Sequence, residues 1–196
     1  MMLSGKKTGL FFGSFNPIHL GHLIIANYMA EFTDLEEVWF VVSPQNPLKE
    51  RTSLLPDYQR LDMVNMAIET DERFRTSDIE FRLPKPSYTI DSLSYLQERH
   101  PNHEFILISG TDIFPTFTKW KNWEVLLELY KFYVYPRPGS DKHELTRHPS
   151  VRVFPAPRVE ISSTFIRKAI CDGHDISHFL PERVWNYIKE MHFYEK

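Results

Sequence analysis

A glycine-started segment near the N-terminus carries two closely spaced histidines. Residues 13–22 read GSFNPIHLGH, which places His19 and His22 three positions apart. A loop of this type between a strand and a helix can direct several backbone N–H groups and a helix N-terminus toward one anion. Gly13 and Ser14 leave the backbone open to a phosphate, because neither carries a bulky side chain. The segment therefore predicts a phosphate site in an enzyme that uses a nucleotide.

Two plainer interpretations of this segment stay open. Histidines three apart can share one face of a helix and bind a metal ion, although no cluster of cysteine, histidine and carboxylate nearby completes such a site. The segment can also be an ordinary turn from a strand to a helix, with incidental histidines. Gly21 lies near the predicted start of the helix, where the missing Cβ lets a ligand approach.

A second group of phosphate-binding residue types lies toward the other end of the chain, where residues 161–167 read ISSTFIR. Ser162, Ser163 or Thr164 can cap a helix, whose free N–H groups and dipole favour a polyphosphate. Arg167 follows about one helical turn later and offers a planar, permanently charged fork. Taken alone, this pattern is more typical of a capped surface helix with an exposed arginine.

The elements that must position these residues follow from the hydrophobic pattern. Short runs rich in β-branched and aromatic residues are typical of strands buried on both faces, and the segments between them have the spacing of amphipathic helices. This alternation predicts a Rossmann-like α/β fold of three layers, a doubly wound parallel sheet with helices on both faces. Ligands in such sheets bind beyond the carboxyl ends of the strands. The predicted strands are 8–12, 38–42, 105–108 and 132–135, with weaker candidates at 77–83 and 151–154, and the predicted helices are 20–32, 58–69, 88–99 and 123–130.

Length and composition fit one ordinary globular domain over residues 1–196, with 161–196 as a C-terminal helical segment. A net charge of -3 and a pI near 6.3 argue against broad nucleic-acid binding, which needs a basic face. No apolar run approaches the length that spans a bilayer, so no membrane partner is expected. The single cysteine, Cys171, fits a reducing, cytoplasmic environment. The aromatic content of 14% allows a homo-oligomer, whose interface the sequence does not locate.

Together the two motifs resemble a known family. The patterns G-x-F-x-P-x-H-x-G-H and I-S-x-T-x-I-R are similar to the signatures of the HxGH nucleotidyltransferases, which transfer AMP or CMP from a nucleoside triphosphate to a phosphate. The resemblance implies that His19, His22 and Arg167 are catalytic, with His22 at the α-phosphate. The ATP contacts that the resemblance implies are Gly13, Ser14, Phe15, His19, Gly21, His22, Gly110, Asp112, Ser162, Ser163, Thr164 and Arg167.

Further stretches resemble the nicotinate-mononucleotide adenylyltransferases within that family. They are PSYT at 86–89, GTD at 110–112 and RPG at 137–139. A helix beginning near Tyr88 would favour a carboxylate over a neutral amide at its N-terminus, and Trp120 would offer an aromatic face to a ring. The resemblance implies ATP and nicotinate mononucleotide as substrates, the latter bound by Asn46, Lys49, Tyr88, Thr89, Trp120 and Arg137.

Two departures from the family pattern and several alternatives remain. Phe12 stands where many members have a second glycine, and residues 43–49 are shorter than the usual phosphate-binding segment. Trp120 can instead pack in the core beside Trp123.

The alternatives to nicotinate mononucleotide are nicotinamide mononucleotide or phosphopantetheine as acceptor. A non-catalytic nucleotide sensor or a structural module would be a different class of protein, but three intact motif residues, those at 19, 22 and 167, argue against a sensor.

The implied reaction explains why the sequence offers no evident nucleophile or catalytic dyad. A phosphomonoester has a second pKa of about 6, so the attacking phosphate is largely dianionic at neutral pH and needs no base. Catalysis then consists of aligning two anions and stabilising charge at the α-phosphate and the leaving pyrophosphate. Mg²⁺ is the expected cofactor, held mainly by phosphates and water rather than by protein ligands.

Overall fold

A computed structural model describes residues 5–44, 54–139 and 143–196 of the chain. The strands in these ranges are β1 (Lys6–Gly13), β2 (Glu37–Val42), β3 (Phe74–Ser77), β4 (His103–Gly110), β5 (Lys131–Tyr135) and β6 (Val151–Val153). They form one sheet in the order β3-β2-β1-β4-β5-β6, and each neighbouring pair is parallel. The chain builds from β1 to one edge and then crosses over to build the other, as in a doubly wound sheet. The predicted fold class is confirmed.

Helices cover both faces of this sheet. In the described ranges they are α1 (Leu20–Phe32), α2 (Asp57–Ile68), α3 (Thr89–Arg99), α4 (Phe114–Phe117), α5 (Trp123–Leu129), α6 (Ser163–Cys171) and α7 (Glu182–Glu190). Side chains of successive strand residues point to opposite faces. Phe11 and Phe40 accordingly join a core under α1, α2, α6 and α7, whereas Leu10 and Val41 join a second core under α3, α4 and α5. Both faces are buried, which explains why the strands are continuous apolar runs.

The point where the winding reverses lies between β1 and β4, which pair directly. Beyond their carboxyl ends the two connections leave in opposite directions, which opens a crevice in sheets of this kind. Gly13 ends β1 and Gly110 ends β4. The fold therefore brings together two glycines that the family resemblance assigns to ATP.

One predicted strand was wrong. The run at 77–83 is not a strand; β3 lies earlier, and residues Ile79–Phe81 form a short 3-10 turn. The N–H of Ile79 donates to the Ser77 hydroxyl (3.4 Å), which helps to turn the chain away from the sheet. Buried Ile79 imitates a strand residue in the sequence because it packs into the core under α3. No helix in the described ranges is long and apolar enough to cross a bilayer.

Candidate active site

The loop after β1 is shaped by the packing of Phe15. This side chain is buried and its backbone has a φ of 43°, in the left-handed region that few side chains adopt. A Cβ at position 13 would lie 2.8 Å from Cζ of Phe15, closer than atoms can approach. Gly13 is thus required for the ring to lie against the end of β1, whether or not a phosphate approaches.

The two histidines of the motif stack on each other. Their ring centroids are 3.7 Å apart, with an angle of 24° between the planes. The His19 N–H donates to Nδ1 of His22 (3.3 Å), so a neutral His22 carries its ring proton on Nε2. Gly21 makes room for this stack, because a Cβ there would lie 3.0 Å from two ring atoms of His19.

The two rings differ in environment. His19 is buried, at 3% exposure, whereas His22 is half-buried. Burial, and secondly the positive charge of Arg137, lower the pKa of His19 to about 4. Among the described residues, its Nδ1 has no hydrogen-bond partner. His19 is therefore neutral at pH 7 and can donate or accept a hydrogen bond there, but it brings no charge to a phosphate.

The second motif meets the first directly. The Ser163 hydroxyl donates to the carbonyl of Pro17 (3.0 Å), and Nη1 of Arg167 donates to the carbonyl of Asn16 (2.8 Å). Ser162 caps α6, since its hydroxyl accepts from the N–H of residue 165 (3.2 Å). Thr164 accepts from Nη2 of the same arginine (3.4 Å). These contacts place the N-terminus of α6 and a cation beside the histidine loop.

The end of β4 closes another side of the crevice. A Cβ at Gly110 would lie 2.3 Å from Oδ1 of Asp112 and 2.8 Å from Cγ of Arg137. The backbone N–H of Arg137 donates to the Thr111 hydroxyl (2.9 Å), and its Nη1 donates to the Val159 carbonyl (3.2 Å). The structure thus packs Arg137, predicted to bind nicotinate mononucleotide, against residues of the predicted ATP group.

The remaining described acceptor residues lie at the start of α3 and after α4. Tyr88 is the N-cap of α3 and is 37% exposed, and Thr89 is the first helical residue. Trp120 is half-buried and packs on Phe117 with ring centroids 5.2 Å apart. Lys121 lies 4.9 Å from the centre of the Tyr88 ring, which joins the two segments. Asn46 and Lys49 lie outside the described residues.

Two buried charged residues in this region were not identified from the sequence. Glu80 is 3% exposed and accepts from the Ser92 hydroxyl at 2.7 Å, and burial raises its pKa. Arg60 is fully buried on α2. It lies three and four residues before Met63 and Val64, in the apolar register of that helix, which is the one signal that its burial leaves in the sequence.

Among the residues that the structure describes, a protein-held metal centre has no evident ligand set. Within the described ranges, no three side chains of histidine, cysteine, aspartate and glutamate are grouped closely enough to hold an ion. The stacked rings of His19 and His22 also differ from a pair of ligands that point at one centre.

Comparison with known proteins identifies the family. The family model described as cytidylyltransferase-like matches residues 10–169. Solved structures of Plasmodium falciparum nicotinic acid mononucleotide adenylyltransferase, complexed with NaAD and with APC, share the fold with TM-scores of 0.83 and 0.80. They are 23% and 22% identical to this chain, and each comparison covers 96% of it and 97% of the other chain.

Relatives of much higher identity extend over the whole chain. A Flavobacterium johnsoniae protein named probable nicotinate-nucleotide adenylyltransferase is 54% identical over 192 residues, which are 97% of this chain and 100% of the relative. A Bacteroides thetaiotaomicron protein of the same name is 48% identical, over 94% of this chain and 91% of its own length. The chain therefore belongs to the cytidylyltransferase-like family, in its nicotinate-nucleotide adenylyltransferase branch.

Proposed function

We propose that this protein transfers AMP from ATP to nicotinate mononucleotide, giving deamido-NAD and pyrophosphate in NAD biosynthesis. The observation that carries the proposal is the direct contact between the two motifs, in which Ser163 and Arg167 bind carbonyls of the loop that leads into α1, the helix that carries His22. The proposal is supported by relatives that are about 50% identical over nearly their whole length and that carry the name of this activity. The reaction consumes ATP, and we propose that it takes place in the cytoplasm.

The donor half of the site consists of groups that attract phosphate. The N-terminus of α6 and the Arg167 guanidinium lie beside the loop, and a helix N-terminus with an adjacent cation favours a polyphosphate. His22 lies in the first turn of α1, directly after this loop, and its Nε2–H would donate to the α-phosphate. Neutral His19 would orient His22 through their stack and backbone contact rather than supply charge.

The acceptor half would recognise an anionic ring substituent. Tyr88 and Thr89 begin α3, so the first N–H groups of that helix and its dipole are available to a carboxylate. Trp120 packs on Phe117 and remains partly exposed, which leaves aromatic surface for a pyridine ring. This arrangement favours nicotinate over nicotinamide mononucleotide.

No general base is required in this mechanism. The phosphate of the mononucleotide is already largely dianionic at pH 7 and attacks the α-phosphorus of ATP, while the bond to pyrophosphate breaks. The protein aligns the two anions and stabilises the charge of the leaving group, through Arg167 and the start of α6. Mg²⁺ would neutralise part of the triphosphate charge, held mainly by phosphate oxygens and water.

The proposal is tested by incubating the purified protein with ATP, Mg²⁺ and either nicotinate or nicotinamide mononucleotide. Equal amounts of pyrophosphate and deamido-NAD are expected with the nicotinate substrate. ATP binding without turnover of either mononucleotide would contradict the proposal and indicate a nucleotide sensor. If phosphopantetheine alone is turned over, the assigned ATP site is supported and the assigned acceptor site is contradicted.

A further inference from the structure

The buried guanidinium of Arg60 joins the two halves of the site. On the basis of the proposed function, we propose that Arg60 is a positioning residue. It holds the ATP loop, residues 14–19, in a fixed position relative to the acceptor segment, residues 86–89. It touches neither substrate in this proposal. Its effect is carried by backbone carbonyls at the ends of β1 and β2, which it holds at fixed positions.

Every N–H of the Arg60 side chain has a partner. Nη1 donates to the carbonyls of Ser14 (2.5 Å) and Ser43 (2.8 Å), and Nε donates to the carbonyl of Leu55 (3.0 Å). Nη2 donates to the carbonyl of Pro44 (3.3 Å) and to a carboxylate oxygen of Asp57 (2.7 Å). An arginine side chain has five such donors, so the fork is fully used.

General stabilisation of the fold does not readily explain a fully hydrogen-bonded, buried guanidinium at this position. Taking a guanidinium out of water carries a large desolvation cost, and an apolar side chain of similar size would fill the same core position on α2 without it. Four of the five partners of Arg60 are backbone carbonyls from three separate segments, which no apolar side chain could fix in direction. The contact to Ser14 lies inside the predicted ATP loop.

From the end of β2 the connection continues to the acceptor side. The buried Glu80 carboxylate interacts with the hydroxyls of Ser43, Ser92 and Ser87. Ser87 is buried directly before Tyr88, the N-cap of α3. A chain of buried contacts therefore runs from the ATP loop through Arg60 and the end of β2 to the start of α3.

A second route runs through Asp57. One oxygen of this carboxylate accepts from Arg60, and the other accepts from Nζ of Lys85 (3.2 Å), directly before the PSYT segment. Both routes reach the same acceptor segment from the guanidinium. Loss of the fork is therefore expected to loosen the alignment of the two substrates more than the binding of either one.

The test compares Arg60→Lys with Arg73→Lys in the full chain. Lysine keeps the charge but has three donors and no fork, so it cannot hold the five partners. We expect kcat for deamido-NAD formation to fall about 10²-fold, as for a misalignment of about 1 Å, with the KM for ATP and for nicotinate mononucleotide changed far less. Arg73 is the matched control, since it also binds several groups, Asp71, Asn27 and Glu31, but away from the site. Its variant should keep the wild-type kcat.

Circular dichroism and urea unfolding establish that each variant is folded under assay conditions. A folded Arg60→Lys protein with wild-type kcat would overturn the inference, as would a loss of activity equal to that of Arg73→Lys. If Arg60→Lys does not fold, Asp57→Ala replaces it, because it removes the half-buried carboxylate that binds the fork at the start of α2. A lowered kcat at nearly constant KM is again expected, and an unchanged kcat would overturn the inference. An inactive wild-type protein would overturn the proposed function and this inference together.

Discussion

The burial of His19 makes a quantitative prediction about acid stability. Its pKa is lowered from 6.5 to about 4 in the folded protein, chiefly by burial and secondly by Arg137. The unfolded chain therefore binds a proton between these two pH values that the folded protein does not. This difference corresponds to about 3 kcal/mol of unfolding free energy, since one pKa unit is worth about 1.4 kcal/mol. The contribution is fully present above pH 6.5 and is lost as the pH falls through about 4.

His19 is the N-cap residue of α1, and His19→Asn removes the titrating group while keeping a side chain suited to that position. Urea unfolding of wild type and variant, from pH 4 to 8, gives the difference in unfolding free energy at each pH. We expect this difference to be constant above pH 7 and to shift by about 3 kcal/mol in favour of the variant between pH 6.5 and 4. Parallel profiles for the two proteins would refute the buried, neutral histidine.

Three further substitutions probe separate parts of the site. His22→Ala should lower kcat by about 10² or more with a smaller effect on KM, as for a lost oxyanion donor; near wild-type turnover in steady-state assays would remove this residue from catalysis. Thr89→Ala should raise the KM for nicotinate mononucleotide more than the KM for ATP in the same assays. An equal rise in both KM values would argue against the carboxylate pocket. Burial raises the pKa of Glu80. Ionisation of this carboxyl group therefore destabilises the folded state increasingly as the pH rises from 4.5 through the raised pKa. Glu80→Gln should remove this trend, so that the variant gains stability relative to wild type with rising pH, and unfolding profiles that stay parallel would contradict it.

The sheet and its helices could be predicted because burial on both faces leaves a direct mark in the sequence. The strands at the centre of the sheet are continuous apolar runs, and α1, α2 and α3 follow with helical spacing. The family resemblance implies that His22 and Arg167 serve one ATP site, and the structure shows that Ser163 and Arg167 contact the loop of the first motif at Pro17 and Asn16. At β3 the pattern failed, because a buried turn residue and a strand residue are both apolar.

Other features of the site leave little or no pattern in the sequence. Arg60 is buried because backbone carbonyls surround it, and carbonyls are the same for every residue type. Glu80 is similar, because its partners are serines, a residue type that is mostly exposed in proteins and gives no sign of its burial here. The position of Arg137 against Gly110 depends on the packing of β5 beside β4, which spacing along the chain does not encode.

A competition between acceptors tests the central claim most directly. The wild-type protein is given limiting ATP with Mg²⁺ and equal concentrations of nicotinate and nicotinamide mononucleotide, and the dinucleotide products are separated and quantified. If the two motifs build one adenylyl-transfer site next to a carboxylate pocket at the start of α3, deamido-NAD is the main product. NAD as the main product, or ATP left unconsumed, would contradict this account.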